Sequence, residues 1–134
     1  MTVHNDLGRM GEEAACLYLI RHGYRLLARN AQFGHHEIDI VADHYGELVF
    51  VEVKTRRRGD HEAASWAVDN QKRMFLCEAA YAYRCLHNLR DCPYRFDVIT
   101  LIGNAPPFDI EHCRHVFSPE GVRLAALQKP RQDW

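Results

Sequence analysis

The chain has 134 residues, with 17 basic and 18 acidic side chains and a formal net charge of −1. A chain of this length is typical of one domain, which buries roughly two-thirds of the surface that its unfolded form exposes. The near-neutral charge excludes a protein that is basic over its whole surface, so any contact with nucleic acid must come from a local basic patch.

The cysteines and the apolar runs indicate a cytoplasmic protein. Five cysteines, an odd number without any C-x-x-C pair, fit neither a disulfide framework nor a zinc knuckle. The amino-terminal sequence MTVHNDLGRMGEEAA has no apolar core of the kind that signal peptides carry, and no apolar run is long enough to span a bilayer. We therefore expect a reducing compartment and no membrane partner.

The first half of the chain predicts a helix followed by three strands. Apolar residues recur at helical spacing over residues 6–21, with Asn5 or Asp6 as the N-cap and Gly23 as the stop. Alternating apolar residues then predict strands at 24–33, 35–42 and 47–55. The last two of these strands join in a hairpin through the turn at residues 43–46.

The second half predicts another helix and two more strands. The helix runs to Leu86 from a cap at Asp69 or Asn70, and the strands follow at 94–102 and 108–117. We expect one domain over residues 1–117 and a tail, 118–134, that is partly helical around residues 122–127. This order of elements predicts an α/β fold in which helices flank a central mixed β-sheet.

The third strand carries charged side chains among apolar ones. One of its faces carries Val49, Val51 and Val53, and the other carries Leu48, Phe50, Glu52 and Lys54. Because both faces begin with apolar residues, we expect this strand to be central in the sheet.

The hairpin brings a second carboxylate toward Glu52. If a two-residue loop is closed by Asp43, then Asp39 lies opposite Phe50 and Glu37 lies opposite Glu52. In that register Asp39 and Glu52 are diagonal neighbours on one face, about 7–8 Å apart at the backbone.

Two carboxylates in a partly buried place repel each other and lose hydration, which a divalent cation offsets. Magnesium takes oxygen ligands and usually accepts one or two protein carboxylates. With Lys54 beside them, Asp39 and Glu52 suit the hydrolysis of a phosphodiester. The alternative is an ordinary ion pair between Glu52 and Lys54 at the rim of the sheet, with Asp39 on the solvent side.

Asp39, followed after twelve residues by Glu52, Val53 and Lys54, resembles the PD-(D/E)xK signature of the restriction-endonuclease-like superfamily. As a set, five segments resemble the YraN-like family of small bacterial proteins of uncharacterised function: GRMGEEAACLYL, GYRLLARN, HEIDIVA, LVFVEVKTR and YRFDVITL. At His36 the chain departs from the glycine that is usual in that family.

The resemblance implies a nuclease-like α-β-β-β-α-β core, similar to that of archaeal Holliday-junction resolvases. Carried over by position, it makes Asp39 and Glu52 the ligands of Mg²⁺ or Mn²⁺, with the Val53 carbonyl as a third ligand. It makes Lys54 the catalytic lysine.

The first helix offers one further acidic candidate. Glu12 shares its side of the helix with Ala15 and Leu19 and so leans toward the sheet, whereas Glu13 lies on the polar face. Glu12 is either a surface carboxylate favoured by the helix dipole or, as the resemblance implies, a catalytic residue beside the metal site.

Nucleic-acid contacts are expected on two segments. Arg56, Arg57 and Arg58 follow the central strand directly and form either a phosphate-binding cluster or a solvated loop. Gln71 and Lys72 occupy the first turn of the second helix, where Lys72 either approaches the site or lies along the apolar face of the helix. Asp97 is expected to be structural, paired with Arg95 or a neighbouring loop.

The sequence therefore predicts a metal-dependent endonuclease that acts on DNA, branched DNA included, or on RNA. The alternative is a nucleic-acid-binding or assembly protein that keeps the fold without meaningful turnover. A homodimer is compatible with the first interpretation, because nucleases that cut both strands often work as symmetric pairs.

Overall fold

The computed structural model describes residues 3–59 and 69–119, with side chains from residue 6 onward. Its elements are α1 (Val3–Arg21), β1 (Arg25–Phe33), β2 (His36–His44), β3 (Glu47–Arg56), α2 (Asn70–Leu86), β4 (Tyr94–Ile102) and β5 (Asp109–Cys113). The predicted α-β-β-β-α-β order is confirmed. The segment predicted to be helical around residues 122–127 lies outside the described residues.

The five strands form one mixed sheet in the order β1-β2-β3-β4-β5. β3 and β4 are parallel, and the other neighbouring pairs are antiparallel. Because parallel neighbours need a crossover connection, α2 lies between β3 and β4 in sequence. β3 is central, as its two apolar faces predicted.

In the described part of the chain, each face of the sheet is covered by one helix. On one side α1 contributes Ala15, Cys16 and Leu19 to a buried cluster with Val49, Val51, Ile99 and Leu101. On the other side α2 contributes Leu76, Ala79, Ala80 and Tyr83 to a cluster with Leu48, Phe50, Phe96 and Val98. The predicted alternation of β3 is therefore correct, and the face that carries Glu52 and Lys54 is the face covered by α2.

Two element boundaries differ from the prediction by three residues or more. α1 begins at Val3, so Asn5 and Asp6 lie inside its first turn and neither is the N-cap. Asp6 instead forms an ion pair with Arg9, at 3.1 Å. β5 ends at Cys113 rather than at residue 117, because His115 adopts a left-handed φ of 52° that an extended strand does not allow.

The cap of α2 follows the prediction. Asp69 precedes the helix with an extended backbone, and its side chain accepts a hydrogen bond from the Lys72 amide at 2.8 Å. The helix ends at Leu86, as its apolar periodicity indicated.

The register of the β2–β3 hairpin was predicted wrongly by two residues. The observed closing pair is His44 with Glu47, and Asp43 lies opposite Leu48. The loop is therefore Tyr45-Gly46, with φ of 52° and 90°, as a two-residue turn with two left-handed positions requires. Asp39 does not face Phe50, whose partner is Val41, and extending the observed register would place it opposite Glu52.

The side chains of β2 exchange faces of the sheet at Asp39. Ile38 packs in the cluster under α2, whereas Ile40 packs in the cluster under α1, although residues two apart in a regular strand share one face. On β1, Asn30 lies opposite this point with a left-handed φ of 50°. Ile40–Val51 is the last pair of the β2–β3 ladder, so the two strands separate where Asp39 stands.

A buried polar network fills the opposite end of the α1 face. Asp97, only 1% exposed, accepts hydrogen bonds from Arg95 at 3.0 Å and pairs with His112 at 2.7 Å. Burial alone would raise the pKa of Asp97, but the contacts with His112 and Arg95 outweigh it and hold this pKa below its ordinary value. Asp97 pairs with Arg95 as predicted and lies within the structural network.

Within residues 3–59 and 69–119, neither helix has the length and apolar character needed to cross a bilayer.

The contact between α1 and β3 depends on Gly11. A Cβ atom built at Gly11 would overlap the Oγ1 atom of Thr55, and Thr55 is β-branched and stiff. At Gly8, one turn earlier in α1, an added Cβ meets nothing within 4 Å. Gly11 thus lets the first half of α1, including Glu12, lie directly against the end of β3.

We predict opposite effects for alanine at these two glycines. Gly11→Ala should destabilise the fold by about 1–3 kcal/mol through overpacking, whereas Gly8→Ala should stabilise it by roughly 0.5–1 kcal/mol because alanine is the better helix former. Urea unfolding of both variants measures the difference.

The double variant Gly11→Ala/Thr55→Ala should recover part of the stability, because it removes the overlapping hydroxyl. Equal stability of the two single variants would show that α1 does not approach β3 as described.

Candidate functional site

The site lies where β2 separates from β3. The Val53 amide donates a hydrogen bond of 2.8 Å to Asp39 Oδ2, so a side chain accepts it just beyond the last pair of the ladder. This bond fixes the Asp39 carboxylate against the backbone of β3, next to Glu52. The structure therefore brings together the two carboxylates that the sequence singled out.

Asp39 is held in a place that disfavours its charge. Burial is the largest cause and the Glu52 charge the second, and together they raise the pKa of Asp39 to about 7 against the lowering by the Val53 hydrogen bond. The Glu12 and Glu37 charges raise it further. Without a cation, a large share of Asp39 is protonated at neutral pH.

Glu52 is also buried, but cations accompany it. Burial raises the pKa of Glu52 above its ordinary value, and the charges of Lys72 and Lys54 lower it only in part. Lys72 Nζ lies 3.6 Å from Glu52 Oε2, an ion pair slightly too long for a hydrogen bond. Within the described chain this oxygen is buried and has no hydrogen-bond partner.

The two lysines reach the site from different elements. Lys54 lies on β3, two residues after Glu52 and on the same face, in register with Thr100 on β4. Lys72 comes from the first turn of α2, where the Asp69 cap holds its backbone. Of the two alternatives for Lys72, the structure favours approach to the site.

The adjacent glutamates of α1 separate as expected. Glu12 is half-buried, and its charge acts on Asp39. Glu13 is exposed and forms an ion pair with Arg29 of β1 at 2.9 Å. Glu12 is therefore the residue that belongs with the carboxylates.

Glu37 belongs to the same charged group, although the sequence offered no role for it. Its charge raises the pKa of both Asp39 and Glu52. Its position on β2, two residues before Asp39, was the available signal. Gln32 of β1 donates to Glu37 at 3.4 Å, which holds it on the exposed side.

These residues supply few metal ligands on their own. Across residues 6–59 and 69–119, no three His, Cys, Asp or Glu side chains come together as a metal-binding group. Two neighbouring carboxylates nevertheless fit magnesium, which usually takes one or two of them and completes its shell with water and phosphate oxygens. The Val53 carbonyl as a third ligand stays a prediction.

The arginine cluster is less open than a free basic loop. Arg56 is half-buried and donates to the Thr55 carbonyl at 3.1 Å. Arg58 forms an ion pair with Asp109 of β5 at 2.6 Å, while Arg57 is exposed. Gln71 is exposed in the first turn of α2. Arg56 and Arg58 therefore have partners within the fold.

His36 contacts α2 rather than the carboxylates. Its Nε2 lies 2.8 Å from Glu78 Oε2, and its ring stacks on Phe75 with 4.3 Å between the ring centres. The side chain at this position therefore fastens the start of β2 to α2.

Comparison with known proteins identifies relatives whose activity is not described. An UPF0102 protein of Bacteroides thetaiotaomicron is 46% identical over 119 residues, which cover 89% of this chain and 98% of that protein. An UPF0102 protein of Porphyromonas gingivalis is 44% identical over 134 residues and covers 98% of each chain.

A solved structure, of a protein of unknown function from Silicibacter pomeroyi, covers 91% of this chain and 82% of its own. Its TM-score of 0.39 and 14% identity are too low to support any inference. The model of the uncharacterised protein family UPF0102 matches residues 11–101, which run from within α1 into β4 and include both carboxylates of the site. The chain belongs to the UPF0102 family.

Proposed function

We propose that this protein is a metal-dependent nuclease of the restriction-endonuclease-like, PD-(D/E)xK superfamily, which hydrolyses phosphodiester bonds in DNA, branched DNA included, or in RNA. One observation carries the proposal: Asp39 and Glu52 are neighbours in a partly buried place, where burial raises the pKa of both and the Glu52 charge raises the pKa of Asp39 further. Such a pair lowers the stability of the metal-free fold, and a bound cation would offset that cost.

The magnitudes favour a cation over a purely structural pair. A carboxyl whose pKa is raised to about 7 costs stability on the order of a few kcal/mol once it is ionised. A ligand present at about 100 times its dissociation constant returns roughly 2.7 kcal/mol. Binding of one divalent ion is therefore of the size needed to offset the repulsion.

Asp39 and Glu52 would hold the metal, and the buried Glu52 Oε2, which accepts no hydrogen bond in the described part of the chain, is a ligand atom available to it. Magnesium or manganese bound there would neutralise charge on the phosphate and assist the attack of water. Lys54, on the same face of β3, would donate from its Nζ to a phosphate oxygen and stabilise the charge that develops there. Glu12 shapes the charge around Asp39 from the other side.

Nucleic acid would approach along the border of the site. Arg57, Arg58 and Gln71 are exposed, and together with Arg56 they would contact the phosphates. DNA in the cytoplasm is the expected substrate. A symmetric pair of chains would present two such sites to the two strands.

A second candidate function is a nucleic-acid-binding or assembly protein without turnover. The observation that favours it is the small donor set, since two carboxylates and no third side-chain ligand come together in the described part of the chain. A panel of labelled duplex, forked, four-way and single-stranded substrates, with magnesium or manganese, separates the two functions. Metal-dependent cutting that Lys54→Met abolishes would support the nuclease, whereas binding without cutting would support the second candidate.

We predict that manganese, and to a lesser degree magnesium, raises the melting temperature of the wild type by several degrees. Asp39→Asn should abolish this rise without lowering the metal-free melting temperature, because asparagine keeps an oxygen for the Val53 amide and removes the charge. Glu52→Gln should behave in the same way. If both variants melted several degrees lower without metal and still responded normally to manganese, the pair would be structural.

The raised pKa of Asp39 also predicts how the stability of the metal-free protein changes with pH. Asp39 binds its proton more tightly in the folded state than in the unfolded state, where its pKa is near 3.8. The metal-free wild type should therefore lose stability, relative to Asp39→Asn, as the pH rises from 4 to above 7. Parallel pH profiles for the two proteins would contradict the raised pKa.

We predict that Lys54→Met lowers single-turnover cleavage by about two or more orders of magnitude while affinity for DNA changes little. Replacing Arg56, Arg57 and Arg58 by alanine should instead weaken binding to DNA and leave cleavage at saturating substrate largely unchanged. The slope of log affinity against log salt should flatten by about one to three units, at roughly 0.9 for each phosphate that is no longer neutralised. The lower end applies if Arg58 stays committed to Asp109. Normal cutting by Lys54→Met would contradict the proposed role of this lysine.

We predict that Glu12→Gln slows cleavage by roughly tenfold or more, on the scale of removing a residue that orients a metal site. Glu13→Gln is the matched control on the same helix, and it should cost only the exposed ion pair with Arg29, less than about 1 kcal/mol. Single-turnover rates under saturating metal measure both. Equal rates would exclude Glu12 from the site.

A further inference from the structure

Glu52 and Asp39 are neighbours with very different surroundings. The charges that act on Asp39 from side chains come from Glu52, Glu12 and Glu37, all negative. Glu52 instead has the Lys72 ammonium at 3.6 Å. In the metal-free protein, Glu52 therefore has a cationic side chain within ion-pair distance, whereas the charges that act on Asp39 are all negative.

The contact between Lys72 and Glu52 is close but incomplete. Its length exceeds that of a hydrogen bond, and Glu52 Oε2 is left buried without a hydrogen-bond donor in the described part of the chain. The Glu52 side chain is 16% exposed and the Lys72 side chain 41% exposed. One end of this pair is thus enclosed, while the other can leave along its flexible four-carbon stem.

The backbone of Lys72 does not share this freedom. Its amide is bound by the Asp69 side chain at 2.8 Å, in the first turn of a helix packed on the sheet. The side chain can therefore leave Glu52 while the helix backbone stays in place.

We propose that Lys72 is the internal counter-ion of Glu52 in the metal-free protein and that an entering divalent cation displaces it. This inference rests on the proposed metal site and adds a device that controls it. A dication on Glu52 and an ammonium 3.6 Å from the same oxygen repel each other strongly in a partly buried place. Metal binding must therefore include the release of Lys72.

Two consequences follow from the displacement. Lys72 lowers the affinity of the site for metal, because each binding event must break the ion pair. Once released, its ammonium is available to the anionic backbone of a nucleic acid on the outer side of α2. Metal and substrate would then support each other, since the metal frees a cation that the substrate phosphates can use.

The test uses Lys72→Met, which keeps the apolar stem and removes the charge, with Lys72→Gln as a second variant. Arg90→Met is the matched control, because it removes one positive charge from an exposed position beyond the other end of α2. Manganese affinity is measured by calorimetric titration, and melting temperature is measured in the presence of a chelator.

Both Lys72 variants should melt a few degrees lower than the wild type without metal, because Glu52 loses its counter-ion. Both should bind manganese about tenfold or more tightly. Arg90→Met should match the wild type in both measurements. This combination, weaker folding without metal and tighter metal binding, is not expected from a lysine that only lies along the helix.

Three other outcomes overturn the inference, and they can be told apart. If the wild type binds manganese and the Lys72 variants bind it equally or more weakly, the displacement is wrong while the metal site stands. If Arg90→Met also binds metal about tenfold more tightly, the effect is one of net charge. If no protein in the set binds manganese, the proposed function and this inference fail together.

Discussion

The candidate site is defined by one unfavourable interaction: two carboxylates lie close together, partly buried, where β2 separates from β3. Asp39 is fixed there by the Val53 amide, and burial together with the Glu52 charge raises its pKa to about 7. Apolar side chains at these two positions would extend the core and stabilise the fold. The presence of carboxylates instead, in a partly buried place, is the physical reason to treat this end of the sheet as a site.

The surrounding elements are arranged to bring charge to this place. Gly11 allows α1 to lie against Thr55, which sets Glu12 near Asp39. The Asp69 cap holds the first turn of α2 so that Lys72 reaches Glu52. The opposite end of the same sheet shows the contrast: there the buried Asp97 is fully paired with Arg95 and His112, and its pKa is lowered rather than raised. The fold thus stabilises the charge of Asp97 at one end of the sheet, whereas at the other end the pKa values of Asp39 and Glu52 stay raised.

Much of the fold could be predicted from the sequence because the patterns are local. The alternation in β3, the periodicity and cap of α2 and the bounds of β4 come from period, capping and burial alone. The hairpin register was missed although the signal was present, since Gly46 suits the second position of a two-residue turn that needs left-handed residues. The exchange of faces by the β2 side chains at Asp39, opposite Asn30, could not be predicted, because it depends on how two strands and two helices pack. For the same reason the reach of Lys72 to Glu52 stayed open.

The proposed nuclease requires that Asp39 and Glu52 together bind a divalent cation. The most direct measurement is anomalous X-ray diffraction from crystals grown at pH 8, where Asp39 is ionised, and soaked in manganese. One strong anomalous peak should appear about 2.0–2.3 Å from oxygens of both carboxylates, with Lys72 turned away from Glu52. An empty site with the Lys72–Glu52 ion pair intact, or a peak elsewhere on the protein, would show that these carboxylates are not the metal site.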